Sequence, residues 1–139
     1  MLCHKTLFAS LASFLSIQNS QCAWAHTAQG PILINVGGPT YVDSMGNVWE
    51  TDAQWNAGES YNDDSPIAGT RDEPLYQSQK VGRPYAPPLQ YEIPVDNDGD
   101  GTYQIHLHFS EIQPEAMAVG ARVFDIVVEG SVVVENLDV

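Results

Sequence analysis

Four groups of residues in this chain have the types and spacing to do chemistry. The first is an acidic turn, Asp96-Asn-Asp-Gly-Asp-Gly101. Asp96, Asp98 and Asp100 alternate as carboxylates do in the first half of a calcium loop, and Gly101 would permit the sharp bend. The twelfth position, where such a loop places a bidentate glutamate, is Leu107. A turn rich in Asp, Asn and Gly also needs no metal to form. The second group is His106-Leu-His108, two imidazoles on one face of a strand, or half of a zinc site. No third ligand accompanies it: His26 lies far upstream, and both cysteines, Cys3 and Cys22, lie in the leader-like segment. An outward pair on a sheet face accounts for the histidines equally well. The third group is the eighteen acids, among them Glu50, Asp52, Glu59, Asp63 and Asp64. Two carboxylates flanking a glycosidic bond would hydrolyse it, but such abundance makes any pairing cheap. The chain carries no Ser-His-Asp or Cys-His constellation and no glycine-rich phosphate loop, so it reads as non-enzymatic and without a cofactor.

The fourth group is aromatic. Tyr61 sits in Glu59-Ser-Tyr-Asn-Asp-Asp64, and Tyr76 and Tyr85 follow in the next polar stretch. Sugar rings present apolar C–H faces that pack on aromatic planes, while nearby carboxylates and amides take the hydroxyls. Tyr61, Tyr76 and Tyr85 are therefore the candidate carbohydrate-binding residues; anchoring of loops is the plain alternative. Trp49 and Trp55 read as core or loop-pinning side chains.

Alternating strands must position these groups. Pro31 to Val36 reads as a first strand, stopped by Gly37-Gly38-Pro39. Residues 40–88 are dense in turn-forming residues and read as long loops with short strands, with a brief helical turn at Pro74-Leu-Tyr-Gln77. Leu89, Tyr91, Ile93 and Val95 then share one face of a strand. Tyr103, Ile105, Leu107 and Phe109 share a second face, with Gln104, His106, His108 and Ser110 opposite. Phe124, Ile126 and Val128 give a third face, and Ser131 to Val139 a further strand. The period predicts an all-β fold, an antiparallel β-sandwich.

The first 25 residues read differently. Met1 to Lys5 is weakly positive, Thr6 to Ile17 is apolar, and Ala23-Trp-Ala25 has the small-x-small cleavage pattern. This is the layout of a secretory signal peptide, expected as a helix, and the apolar run is too short for a membrane-spanning helix. Gln21 before Cys22 argues against a lipoprotein signal. The expected organisation is a signal peptide over 1–25, a linker over 26–31 and one domain over 32–139. The full chain of 139 residues has a formal net charge of −13. Cleavage would leave four basic residues, Arg71, Lys80, Arg83 and Arg122, against all eighteen acids, and no cysteine. Such a surface repels phosphate backbones and anionic lipid, which argues against nucleic acid and membrane-surface partners. With no disulfide available, stability must come from packing.

Several blocks, in order, resemble the malectin family. They are Ile34-Asn-Val-Gly-Gly38, Tyr41-Val-Asp-Ser-Met-Gly-Asn-Val-Trp49, Ile67-Ala-Gly-Thr70, Pro74-Leu-Tyr-Gln-Ser78, Leu107-His-Phe-Ser-Glu-Ile112 and Arg122-Val-Phe-Asp-Ile126. The resemblance implies a jelly-roll-like sandwich that binds glucose-type disaccharides or related glycans without hydrolysing them, in the secretory pathway, extracellular or in the endoplasmic reticulum lumen. It matches Tyr61 to a ligand-binding tyrosine of the family. The family's next tyrosine falls on Val81, with Tyr85 close enough to substitute, and its Tyr-Phe pair falls on Gln113 and Pro114. A ligand aspartate of the family, and the strands that close its sandwich, fall beyond Val139. The resemblance therefore implies an incomplete sandwich, a truncated product with weakened sugar binding. The alternative expectation is a protein-interaction module whose open sheet edge pairs with a partner chain.

Overall fold

The computed structural model of the chain describes residues 3–8, 15–18, 31–53, 58–82, 87–93 and 103–139; for 3–8 and 15–18 only the backbone is considered. Its strands are β1 (Cys3–Phe8), β2 (Leu15–Gln18), β3 (Ile32–Asn35), β4 (Tyr41–Val42), β5 (Val48–Thr51), β6 (Glu59–Asn62), β7 (Ser78–Val81), β8 (Gln90–Glu92), β9 (Tyr103–His108), β10 (Val123–Val128) and β11 (Ser131–Asp138). Among the described residues the helical elements are two single 3-10 turns, Glu73–Leu75 and Pro114–Ala116. Each starts beside a proline, whose fixed φ suits a first turn.

One sheet runs β4-β5-β3-β1-β9, a second β11-β10-β2-β8, and β6 and β7 form a separate hairpin. The all-β sandwich expected from the alternation is present, but its pairing is mixed. Antiparallel pairs join β4 to β5, β6 to β7 and β10 to β11. The other pairs are parallel: β3 with β5, β1 with β3 and β9, β2 with β8 and β10. The reason is connectivity. Neighbours such as β3 and β5 are not joined by a tight hairpin, so the chain can return and enter the sheet in the same direction.

The apolar faces meet between the two sheets. Ile34, Val36 and Trp49 from the first pack with Tyr91, Ile93, Phe124 and Ile126 from the second, with Leu75 and Leu89 in the same buried cluster. Ile105, Leu107 and Phe109 pack against its side, and Phe109 meets Phe124 at a tilted 5.6 Å ring contact. The alternating faces seen in the sequence thus become core. Trp49 is a core residue, as expected; Trp55 lies outside the described residues.

The N-terminal segment corrects one expectation. The sequence suggests a signal-peptide helix over the apolar run; of that run residues 9–14 lie outside the described residues, while β1 and β2 are extended and each is hydrogen-bonded on both sides within a sheet. An apolar run without clear period fits strand or helix equally, and for β1 and β2 the neighbouring strands supply the backbone partners.

Candidate functional site

The candidate tyrosines belong to one hairpin and the turn that leads into it. Tyr61 lies in β6, directly opposite Gln79 of β7. Beyond the strand ends, Asp63 N–H donates to the Gln77 carbonyl at 3.0 Å and Gln77 Nε2 donates to the Ser65 carbonyl at 3.0 Å. The exit of Tyr61's strand is thereby tied to the residue after Tyr76. Upstream, the Glu73–Leu75 turn is pinned by buried Leu75 and by Ile67 N–H donating to Glu73 Oε2 at 3.0 Å. Tyr76 caps that turn, its N–H donating to the Glu73 carbonyl at 2.8 Å.

Tyr76 is also fastened to β9. Its hydroxyl lies 3.1 Å from His108 Nδ1, and the two rings meet edge to face with centroids 6.2 Å apart. Its carbonyl accepts a 2.8 Å hydrogen bond from Ser110 Oγ. Burial first, then the Asp72 carboxylate, raises the Tyr76 hydroxyl above the ordinary phenol value. Burial, reinforced by neighbouring His106, pushes His108 below the ordinary imidazole value, so its ring is neutral at pH 7. The arrangement offers an aromatic plane with a hydroxyl tied to a neutral imidazole. That is binding chemistry.

The exit of β9 is held just as firmly. Buried Arg122 pairs with Glu111 and also donates to Gln113 Oε1, while Gln113 N–H donates to Glu111 Oε1 at 2.7 Å. An almost completely enclosed guanidinium is tolerable only with such partners. The cluster fixes the segment carrying Gln113 and Pro114, the latter exposed at the head of the second 3-10 turn. Ser110 links this segment to Tyr76, so Tyr76, Gln113 and Pro114 belong to one end of β9.

A third group of contacts shapes the loop between β4 and β5. Asp43 accepts from the N–H groups of Met45 and Asn47, from Asn47 Nδ2 and from Trp49 Nε1, at 2.8–3.0 Å. Led by the Asn47 and Trp49 side chains, these donors hold its carboxyl down at about 2. Asp72 accepts from Ser44 N–H, Ser44 Oγ and the Tyr41 hydroxyl. Both carboxylates bind loop backbone and side chains.

The acids considered for glycosidase work are engaged in structure where their bonds are seen. Asp52 accepts a buried bond from the Tyr91 hydroxyl, Asp63 accepts from Ser65 N–H, and Glu50 accepts from Thr40 Oγ1. His106 and His108 lie on β9, and no group of three His, Cys, Asp or Glu suited to a metal occurs among the described residues. The Asp96, Asp98, Asp100 turn and Tyr85 lie outside the described residues. Tyr61 and Tyr76 are brought onto one supersecondary unit, both half-buried.

Sequence comparison decides what this arrangement belongs to. The malectin domain family model matches residues 31–139, which takes in β3 to β11. The chain belongs to the malectin domain family. The malectin domain here is also similar to Receptor-like protein 4 of Arabidopsis thaliana, 32% identical over 111 residues. That alignment covers 70% of this chain and 17% of the plant protein's length. No solved structure matches this chain. Membership makes a carbohydrate-binding module the coarse functional class of this malectin domain. Among the described residues no helix is long and apolar enough to cross a membrane.

Sequence reasoning missed His108 as the partner of Tyr76, and the Glu111–Arg122–Gln113 cluster. Both are contacts between segments distant along the chain. The only local signal was the outward position of His108 in the alternation of β9.

Proposed function

We propose that this malectin domain is a non-catalytic lectin module of the secretory pathway, extracellular or lumenal, that takes glucose-type di- or oligosaccharides. Tyr61 and Tyr76 supply stacking planes and hydroxyls, with Tyr85 as a third ring from the following stretch. The observation that carries this reading is the fastening of Tyr76 to His108 and Ser110, which holds an aromatic ring at the end of β9 before any ligand arrives. A ring already fixed costs less conformational entropy on binding. Gln113 and Pro114 stand where the resemblance calls for two stacking aromatics, so affinity is weakened relative to a fully aromatic site.

Titration with maltose-type and related disaccharides, followed by tryptophan fluorescence or calorimetry, tests the reading. Binding that disappears in Tyr61→Ala, at unchanged melting temperature, supports it. Binding unaffected by that change removes Tyr61 from the site, and no response to any glucose-type sugar removes the reading.

A second reading has its own observation. Among the described residues β11 is a sheet edge, and Val132, Val133 and Val134 on it are all exposed. An extended segment of a partner protein could pair there without any sugar. Charge-bearing substitution Val133→Lys should abolish such pairing and leave glycan titrations unchanged.

A further inference from the structure

One buried side chain lacks what its chemistry demands. Gln79, in β7, is 1% exposed, and neither its Oε1 nor its Nε2 has a hydrogen-bond partner. A carboxamide carries an acceptor oxygen and a nitrogen with two hydrogens to donate. Sealing both away unpaired is destabilising, and folded proteins rarely keep such a group. The other buried polar side chains among the described residues are engaged. Asn35 bonds to Pro39 and Ser78, Asp52 to Tyr91, and Arg122 to Glu111 and Gln113. Gln79 stands apart.

Its neighbours on the hairpin indicate what would satisfy it. The register sets Gln79 directly opposite Tyr61 of β6. Opposed residues of an antiparallel pair project from one face, with Cβ atoms about 4.5–5.5 Å apart. The unpaired carboxamide therefore shares a face with a ring proposed to stack on sugar. On its main-chain side β7 is backed by the Gly37 turn, where a Cβ would collide with the Gln79 backbone. The hairpin is also a sheet of its own, with no strand pairing to the two larger sheets among the described residues. Ser78 ties it to the body through Oγ, 3.2 Å from Asn35 Oδ1 and 3.4 Å from the Val36 carbonyl oxygen. Both are long for hydroxyl bonds. The hairpin can thus shift and open that face without breaking a ladder hydrogen bond.

We propose that Gln79 is a specificity-determining residue of the glycan site, its carboxamide reading two adjacent hydroxyls of one glucose-type ring while Tyr61 stacks on that ring. One hydroxyl donates to Oε1, and its neighbour accepts from Nε2. This inference rests on the sugar reading and adds to it the group selected, a pyranose with a free vicinal pair of hydroxyls. The ligand-free protein already bears the unpaired carboxamide. A sugar with both hydroxyls relieves it, and one lacking either hydroxyl leaves a buried polar atom unmatched.

The test is calorimetric titration of the full chain and of Gln79→Met with maltose, isomaltose and cellobiose, then with monodeoxy analogues of whichever is bound. Methionine keeps the length of glutamine and removes both polar atoms. Without ligand, Gln79→Met should melt about 4 °C or more above the parent, because an unpaired buried carboxamide is gone. It should nevertheless bind the disaccharide about tenfold more weakly, or worse. The parent should lose about tenfold in affinity for the two analogues that each lack one hydroxyl of an adjacent pair, and tolerate the rest. Gln79→Met should treat all the analogues alike. Gain of stability with loss of binding is a combination that a purely structural glutamine would not give. A Gln79→Met protein that binds as the parent does, or that fails to melt higher, overturns the proposal and leaves the sugar reading standing. So does a parent that binds disaccharide but is indifferent to every single deoxygenation. Failure of the parent to bind any of the three disaccharides removes the sugar reading, and this proposal with it.

Discussion

The Tyr91 hydroxyl donates a 2.9 Å hydrogen bond to Asp52 Oδ2 in a place where both side chains are sealed from water. Tyr91 belongs to β8 in one sheet, and Asp52 directly follows β5 in the other, so the bond crosses the sandwich interior. Burial, then the nearby carboxylate, raises the phenol far above its ordinary value. Tyr91→Phe keeps the ring but leaves a buried carboxylate short of a donor, and should cost about 1–3 kcal/mol in urea unfolding. Asp52→Asn, which can still accept from the phenol, should cost less. A Tyr91→Phe variant as stable as the parent would mean that the hydroxyl contributes nothing.

The depressed proton affinity of His108 sets a pH dependence. Its folded value lies below the unfolded value near 6.5, so the unfolded chain takes up the proton first as pH falls. This contribution to stability is intact above about pH 6.5. It is lost as pH drops towards the lower folded value, where the neutral partner of Tyr76 disappears. His108→Gln keeps a hydrogen-bonding group and removes the titration. Denaturant melts between pH 7 and 5 should show a shallower decline for the variant than for the parent.

Alternation along single strands was easy to read, and it gave the core. Leu89, Tyr91 and Ile93 are buried, as are Phe124 and Ile126, because period-two patterning reports directly on which face is covered. The family was legible too, in short blocks whose order survives. Partnerships across the fold were not legible. Tyr76 and His108 are separated by 32 positions, and nothing in either neighbourhood announces the other. The same holds for the mixed direction of the strands, since alternation fixes faces and leaves open which strand lies beside which. The extended parts of the N-terminal segment, β1 and β2, were not legible for another reason: the sequence there has no clear period, and their backbone partners lie on distant strands.

Two glycines separate strain from contact. Gly37 has φ +78°, and a Cβ built there would fall 2.4 Å from the Gln79 carbonyl oxygen, so the Gly37 turn rests directly on β7 opposite Tyr61. Gly46 has φ +86° and open space around it. Gly46→Ala should cost about 1 kcal/mol from backbone strain alone. Gly37→Ala should cost clearly more, because the backbone of β7 must also shift. Thermal melts of the two variants check this, and similar losses would sink the close-approach account.

Pro114 is exposed at the end of β9, one residue beyond the Arg122-bound Gln113. If sugar binding is weakened by missing rings, Pro114→Phe should restore part of it. One stacking contact contributes about 0.5–1.5 kcal/mol, a few-fold to about tenfold in affinity. Isothermal titration against the same disaccharides gives the answer, and an unchanged affinity would clear that position of any role.

The edge strand β11 has a consequence for the behaviour of the protein in bulk. Its three consecutive exposed valines are flanked by Glu129, Glu135 and Asp138, whose negative charge keeps one molecule's edge from docking on another's. That protection is colloidal and reversible. Acidification that neutralises the carboxylates leaves a bare, β-prone valine ladder, so concentrated protein should gel or form fibrils in acid while remaining clear at neutral pH.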